Sequence, residues 1–166
     1  MEVKPYNQQS SKKEQVEAMF DNIAPNYDLL NRVLTLGIDT IWRKSAIKSI
    51  QKEKPSHILD IATGTADLAI EANKRINPDK ITGIDISEEM LDFGRKKLEK
   101  LDLSEQITLL KDDSENLSFP DGSFDVATAA FGVRNFSNLD KGLAEIHRVL
   151  QPDGQIVVLE LSLIHI

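Results

Sequence analysis

The sequence contains no cysteine, which excludes disulfide bonds, a cysteine nucleophile and zinc sites built on cysteine. It also lacks an apolar run of the roughly 18 residues that a membrane-spanning helix needs. Residues 1–13 are polar and do not contain the apolar segment of a secretory signal peptide. These absences predict a cytoplasmic protein and leave open a transient, peripheral contact with the membrane.

Positive charge is in deficit, with 20 Lys and Arg against 27 Asp and Glu and a formal net charge of −7. This balance excludes a protein that holds nucleic acid through a general basic surface. It does not exclude a lipid-like substrate, because apolar contacts need no charge. Hydrophobic residues make up 40% of the 166 positions, as expected for a single globular domain. Histidine and the acids show no metal-ligand spacing, so no metal site is predicted.

Short apolar segments alternate with stretches of helical periodicity from about residue 57 onward. Strands are predicted at 57–62, 80–85, 107–110, 124–130 and 155–161, and helices at 67–75, 88–100 and 141–150. Two further helices are predicted at 13–20 and 38–51, and a turn at 152–154. The strands are continuous apolar runs, which is typical of a mostly parallel sheet covered by helices on both faces. The pattern predicts an α/β, Rossmann-like fold.

The sequence ends at residues 161–166, directly after the fifth predicted strand. An apolar strand at that position would leave an exposed sheet edge, which favours association with another chain. We therefore expect a truncated chain with a few foreign residues at its end. Homodimerisation or domain swapping through this edge is a hypothesis.

Acidic residues follow three successive predicted strands. Asp60 lies in the first strand before the turn at Gly64, Asp85 closes the second strand, and Asp112 and Asp113 follow the third. Ligands of open parallel sheets bind beyond the carboxyl ends of the strands, where an acid roughly 20 residues after the glycine turn accepts from ribose hydroxyls. Each feature has a simpler interpretation by itself. The Gly64 segment fits an ordinary turn, Asp85 fits a helix cap, and the acids fit solvated loop residues. Together they predict an adenosine site.

The glycine turn favours one class of nucleotide over another. Dinucleotide sites use Gly-x-Gly-x-x-Gly to receive a pyrophosphate at a helix N-terminus, and here Gly64 is the one glycine of the turn. Asp60 and Asp67 flank it, and their carboxylates would repel a pyrophosphate but suit a ligand that carries an ammonium and a sulfonium. The charges point to S-adenosylmethionine as the cofactor rather than NAD.

Two motifs resemble those of class I methyltransferases: Asp-Ile-Ala-Thr-Gly-Thr-Ala-Asp at residues 60–67 and Gly-Ile-Asp-Ile-Ser at 83–87, followed by Met90-Leu91. Two longer stretches resemble the menaquinone/ubiquinone C-methyltransferase family. One is Met-Phe-Asp-Asn-Ile-Ala-Pro-Asn-Tyr-Asp-Leu-Leu-Asn at 19–31, running on to Gly37 and Trp42-Arg43. The other is Phe-Pro-Asp-Gly-Ser-Phe-Asp at 119–125, with Phe-Gly-Val-Arg-Asn-Phe at 131–136. The resemblance covers about residues 14–160.

The resemblance implies a class I methyltransferase fold in three parts. These are a disordered polar lead (1–13), an N-terminal helical cap or lid (14–54) and an S-adenosylmethionine-binding Rossmann-like domain (55–166). The last part ends after the fifth strand, whereas family members continue with two more. The family's cofactor contacts correspond to Thr65, Asp85, Asp113 and Ser114, beside Asp60 and Gly64. The chain departs from the family pattern at three places: Ala66 for glycine, Ala130 for serine, and Pro152-Asp153-Gly154 for Pro-Gly-Gly.

The activity implied by the resemblance is transfer of a methyl group from S-adenosylmethionine to a ring carbon of demethylmenaquinol, a prenylated naphthohydroquinone. Its substrate-side residues are expected in the family-specific stretches: Tyr27, Asp28, Asn31, Arg134 and Asn135. Tyr27 also fits core packing, and Arg134 also fits an ion pair with Asp28 or Asp125. An apolar stripe offers a path for the prenyl tail, although most of its members are expected to pack on the sheet: Val16, Met19, Phe20, Ile23, Leu29, Leu30, Val33, Leu34 and Leu36.

Three other functions stay open at this point. The first is a methyltransferase that acts on another small acceptor, such as an amine, a carboxylate or a sterol. The second is a cofactor-binding fragment without catalysis. The third and most distant is an NAD-dependent reductase.

Overall fold

Five parallel strands form the centre of the fold in a computed structural model, which describes residues 10–51 and 54–161. They lie in the order β3-β2-β1-β4-β5. The strands are β1 (His57–Ile61), β2 (Lys80–Asp85), β3 (Ile107–Lys111), β4 (Phe124–Ala130) and β5 (Leu150–Leu159). The order reverses between β1 and β4, so the turns that follow these strands open a crevice at the carboxyl edge of the sheet.

Helices cover both faces of this sheet. They are α1 (Lys12–Ile23), α2 (Tyr27–Leu34), α3 (Ile38–Lys48), α4 (Asp67–Ile76), α5 (Glu88–Lys100) and α6 (Leu139–Val149). Ile58 in β1 packs in one apolar cluster with side chains of α3, α4 and α5. The next residue, Leu59, packs in a second cluster with side chains of α6. Neighbouring residues of a strand point to opposite faces, so both faces are buried and the predicted α/β fold with a parallel sheet is confirmed.

Local sequence signals account for where several helices begin. Ser87 caps α5 by accepting a hydrogen bond from the backbone N–H of Met90 (3.2 Å), as predicted. Ser11 caps α1 in the same way, and the backbone N–H of Ser11 donates to Glu14 Oε2 (2.8 Å). This capping box starts α1 at Lys12, so the helix includes part of the segment predicted as a polar lead. Residues 1–9 lie outside the described residues.

The predicted turn at 152–154 is wrong, because these residues lie inside β5. Phe124 of β4 pairs with Leu150, but Val126 already pairs with Gln155, so the intervening residues form a bulge. Proline has no N–H to donate to the ladder, and an edge strand tolerates such an interruption. Strand β5 forms one edge of the described sheet, and a homodimer through this edge stays a prediction. Residues 162–166, on which the expectation of a truncated end rests, lie outside the described residues.

Candidate functional site

A two-lobed cleft opens at the carboxyl edge of the sheet, beside the turns that follow β1, β2 and β4. The space between the walls, part of which is open to solvent, is about 680 Å³ in the larger lobe and about 330 Å³ in the smaller. The two lobes share five lining residues: Tyr27, Ala62, Gly64, Ala130 and Phe131. They therefore join at the glycine turn, and one elongated ligand can occupy both.

The glycine turn between β1 and α4 is held by the end of β2. Gly64 has a φ of +55°, a conformation that favours glycine, and its N–H donates to Asp85 Oδ2 at 2.8 Å. Ala66, which replaces a family glycine, also lies in the left-handed region with a φ of +68°. Its side chain is fully buried in the core, where apolar contact offsets the cost of roughly 1–2 kcal/mol for this conformation. The turn therefore accepts the extra methyl group.

Asp85, which the sequence predicts as part of an adenosine site, lines the larger lobe. Its carboxylate accepts from two backbone N–H groups, those of Gly64 and of Ser87 (3.0 Å). Burial raises the pKa of Asp85, although these hydrogen bonds act in the opposite direction. The same carboxylate therefore shapes the glycine turn and presents an acceptor to the lobe.

Asp60 lines the smaller lobe and is 1% exposed. It accepts hydrogen bonds from two hydroxyls, Thr63 Oγ1 at 2.6 Å and Thr128 Oγ1 at 2.7 Å. Burial raises the pKa of Asp60 to about 6 despite these donors. A cation entering the smaller lobe would stabilise the ionised form.

Asp113 and Ser114 also line the larger lobe, but Asp113 has a partner that the sequence did not reveal. Lys13 of α1 reaches across the cleft to Asp113 Oδ2 at 2.5 Å. Desolvation is the largest single effect and acts to raise the pKa of Asp113, but the hydrogen bonds from Lys13 and from the backbone N–H of Glu115, together with the nearby lysine charges, lower the pKa overall. Lys13, Val16 and Phe20 recur at helical spacing along α1, and all three line the larger lobe. This spacing indicates that the three residues share one face of α1, but it does not indicate that Asp113 is the partner of Lys13.

The residues expected on the substrate side divide into two groups. Tyr27 and Asn135 line the larger lobe. Neither lobe is lined by Asp28, Asn31 or Arg134. Arg134 pairs with Glu160 at 3.1 Å, rather than with Asp28 or with Asp125.

Thr65, a predicted cofactor contact, lines the smaller lobe and belongs to a network of charged side chains. Its hydroxyl donates to Asp28 Oδ1 at 2.5 Å and accepts from Lys97 Nζ at 3.1 Å. Lys97 also pairs with Asp28 (2.6 Å) and with Asp67 (2.7 Å). No sequence pattern indicates a role for Lys97, which lies on α5, 30 residues from Asp67. The network connects α2 and α4 to α5, and two of its members, Thr65 and Asp67, line the smaller lobe.

Within the described residues, no group of three His, Asp or Glu side chains could hold a metal ion. Across 10–51 and 54–161, no helix is long and apolar enough to cross a membrane.

Sequence comparison assigns residues 8–166 to a model described as the ubiE/COQ5 methyltransferase family. A demethylmenaquinone methyltransferase of Bacteroides fragilis is 51% identical over 160 residues, which are 96% of this chain and 65% of that protein. A ubiquinone/menaquinone biosynthesis C-methyltransferase UbiE of Citrifermentans bemidjiense is 49% identical, over 92% of this chain and 66% of that protein. The chain thus spans just under two thirds of the length of these curated relatives.

Solved structures share the fold. A SAM-dependent methyltransferase from Aquifex aeolicus superposes with a TM-score of 0.65 at 26% identity, over 72% of this chain and 64% of that one. The [4+2]-cyclase SpnF superposes with a TM-score of 0.78 at 24% identity, over 89% of this chain and 60% of that one. The second likeness concerns the fold alone, because one fold can support different chemistry.

Proposed function

The chain belongs to the ubiE/COQ5 methyltransferase family, and we propose that it binds S-adenosylmethionine in the two-lobed cleft and methylates a ring carbon of demethylmenaquinol. One observation carries the cofactor assignment. Asp60, Asp85 and Asp113, which come from three neighbouring parallel strands or the residues just after them, all line this one cleft.

The lining of the larger lobe suits an adenosine. Asp85 would accept hydrogen bonds from the ribose hydroxyls, and Asp113 with Ser114 would lie near the adenine. Apolar side chains complete the wall of the lobe, as ligand sites of this size commonly show: Ile84, Ile86, Met90 and Phe136.

The smaller lobe suits the amino-acid end of the same molecule. Asp60 is a buried carboxylate that an ammonium would stabilise, and Gly64 and Thr65 complete the turn beside it. A pyrophosphate at this turn would meet Asp60 and Asp85, so the lining fits NAD less well. S-adenosylmethionine, when bound, supplies a methyl group that its sulfonium has already activated for transfer.

Tyr27 and Asn135 are the residues that we propose to orient the hydroquinone. Tyr27 lines both lobes and therefore lies where they join, and Asn135 lines the larger lobe. Their hydroxyl and amide groups can hold a hydroquinone oxygen, and correct placement of the reacting carbon is the main contribution a protein makes to such a displacement. Loss of a proton from that oxygen makes the ring carbon nucleophilic. Asp28, Asn31 and Arg134 stay predictions, since they line neither lobe.

A competition assay tests the acceptor. Purified chain and S-adenosylmethionine are incubated with demethylmenaquinol beside an amine, a carboxylate and a sterol, and methylated products are identified by mass spectrometry. We expect methylated quinol alone, and we expect Asn135→Ala to lower turnover by about tenfold while cofactor affinity changes by less than about twofold.

Two outcomes would contradict parts of this proposal. Methylation of a different acceptor would replace the quinol as substrate. Calorimetric binding of S-adenosylmethionine without turnover of any acceptor would support a binding fragment and refute catalysis by this chain.

An apolar surface on α2 and the start of α3 corrects one expectation. Most members of the apolar stripe were expected to pack on the sheet, but α2 has no buried residue. The strongly exposed side chains are Leu29 (64%), Val33 (60%), Leu34 (79%), Leu36 (87%) and Ile41 (62%). These five residues define the α2 apolar surface. A patch of this kind on a soluble domain commonly marks an interaction site.

We propose that the α2 apolar surface touches the bilayer in which a prenylated substrate resides. Between residues 29 and 48 the exposed charged side chains are all basic: Arg32, Lys44 and Lys48. On a chain of net charge −7, such a basic margin beside apolar side chains complements anionic headgroups. The expected cytoplasmic location stays a prediction.

Vesicle flotation tests this contact. We expect the chain to float with phosphatidylglycerol-containing vesicles, more weakly with neutral ones, and the double variant Leu34→Ser/Leu36→Ser to lose most of this binding. Replacing Leu101, an exposed leucine on the far end of α5, with serine is the matched control and should have no effect. Equal flotation of the two variants would contradict the proposal.

A further inference from the structure

Arg43 of α3 is a buried cation at the wall of the smaller lobe. It is 6% exposed, and it lines that lobe together with Asp60 and Asp67. Burial raises the pKa of Asp60, and the charge of Arg43 acts against that rise, which places the two groups within electrostatic reach of each other. A buried guanidinium is costly unless charged or polar partners surround it.

The partners of Arg43 occupy only part of its guanidinium group. Nη1 contacts a carboxylate oxygen of Asp39 and lies 3.5 Å from Asp67 Oδ2. In the part of the chain that the structure describes, neither Nε nor Nη2 of Arg43 has a hydrogen-bond partner. Asp67 in turn is held by Lys97 at 2.7 Å. An anion that approaches Arg43 can therefore accept hydrogen bonds from Nε and Nη2. Asp67 would still be paired with Lys97.

The ring of Phe131 fixes where this guanidinium lies. The Cζ atom of Arg43 is 5.9 Å from the centre of the Phe131 ring, and Trp42 packs edge-on against the same ring at 6.4 Å. Phe131 lines both lobes. Arg43 is consequently held beside the junction of the lobes, at a distance from the adenosine end of the cleft.

The proposed ligand has two opposite charges on one carbon at its amino-acid end. Asp60 provides the partner for the ammonium, but the carboxylate needs a cation. Among the described residues, Arg43 is the one basic side chain that lines the smaller lobe. Guanidinium groups bind carboxylates through paired N–H donors. We infer that Arg43 binds the carboxylate of the methionine moiety of S-adenosylmethionine, an inference that rests on the proposed function.

Arg43 has a second interpretation, in which it is held by Asp39 of its own helix and only bridges α3 to α4 through Asp67. The two roles differ in what they do to ligands with and without a carboxylate. A bridging residue would affect both ligands equally, since it acts through the shape of the lobe. A residue that binds the carboxylate would affect only the ligand that has one.

The test measures two affinities by calorimetry on the wild-type chain and on Arg43→Gln. One ligand is S-adenosylhomocysteine, and the other is its decarboxylated analogue, which keeps the amine and the adenosine. We expect the wild type to prefer S-adenosylhomocysteine by about tenfold or more. In Arg43→Gln we expect this preference to disappear, with the analogue binding within about twofold of its wild-type affinity.

Two further variants keep the test informative. Arg43→Gln leaves Asp39 buried without its cation, so Asp39→Asn/Arg43→Gln supplies a neutral pair if the single variant does not fold. Arg75→Gln removes an exposed arginine on α4 that pairs with Glu71, and it should leave both affinities unchanged. Equal weakening of the two ligands in the Arg43 variants, or no weakening, would overturn this inference alone. A wild-type chain that binds neither ligand would overturn the proposed function and this inference with it.

Discussion

Asp85→Ala is expected to weaken the binding of S-adenosylmethionine at least tenfold, which corresponds to about 1.4 kcal/mol. The carboxylate lines the larger lobe and also accepts from the N–H groups of Gly64 and Ser87. Its removal takes away the proposed acceptor for the ribose hydroxyls and leaves two backbone donors without their partner. Calorimetric titration with S-adenosylmethionine measures the loss, and thermal unfolding shows whether the fold is retained.

Two variants show which function of Asp85 is responsible. Asp85→Asn keeps one acceptor oxygen, so we expect an affinity between those of the wild type and of Asp85→Ala. Asp92→Ala removes an exposed acid on α5 that pairs with Arg95, and it should bind like the wild type. An unchanged affinity in a folded Asp85→Ala chain would remove Asp85 from the site.

The affinity for S-adenosylmethionine is expected to fall about tenfold between pH 7 and pH 5, because Asp60 becomes protonated in this range. Burial raises the pKa of Asp60 to about 6 in the free protein. Only the ionised carboxylate pairs well with an ammonium, so ligand binding favours loss of the proton. Titration at half-unit steps of pH would show the loss, and Asp60→Asn should lack this part of the dependence.

The same ionisation affects the stability of the free protein with the opposite sign. The pKa of Asp60 is raised from 3.8 to about 6 by folding, so the folded state favours the protonated form. The stabilising effect of this protonation is complete below pH 3.8 and is lost as the pH rises through about 6. Equal pH profiles of ligand affinity in the wild type and in Asp60→Asn would contradict the role of Asp60.

Local sequence patterns were sufficient to predict the strands and the helix start that position the site. The bounds of β2 and β4 and the cap at Ser87 agree with prediction, because apolar runs and capping residues act over a few positions. The sequence was also sufficient to predict that the acids at the strand ends lie close together, because parallel strands end at the same edge of the sheet. The prediction of a turn at 152–154 was wrong. The residues there are typical of a turn, but the pairing of β5 with β4 keeps them within the strand.

Contacts between segments that are far apart along the chain could not be predicted from a single sequence. Lys13 and Asp113 are 100 residues apart, and Lys97 lies 30 residues from Asp67, so no periodicity links either pair. The exposure of α2 was also missed, because an apolar stripe shows that a helix is amphipathic but not what covers it. These long-range contacts are also what distinguishes Tyr27 and Asn135, which line the cleft, from Asp28, whose carboxylate is held by Lys97.

A crystal structure of the chain with S-adenosylhomocysteine tests the central claim most directly, namely that one cleft takes the whole cofactor. We predict the ribose hydroxyls on Asp85, the adenine beside Ser114 and the amino-acid end in the smaller lobe with Asp60. An adenosine bound anywhere else on the protein, or bound in this cleft in the reverse direction, would contradict the account.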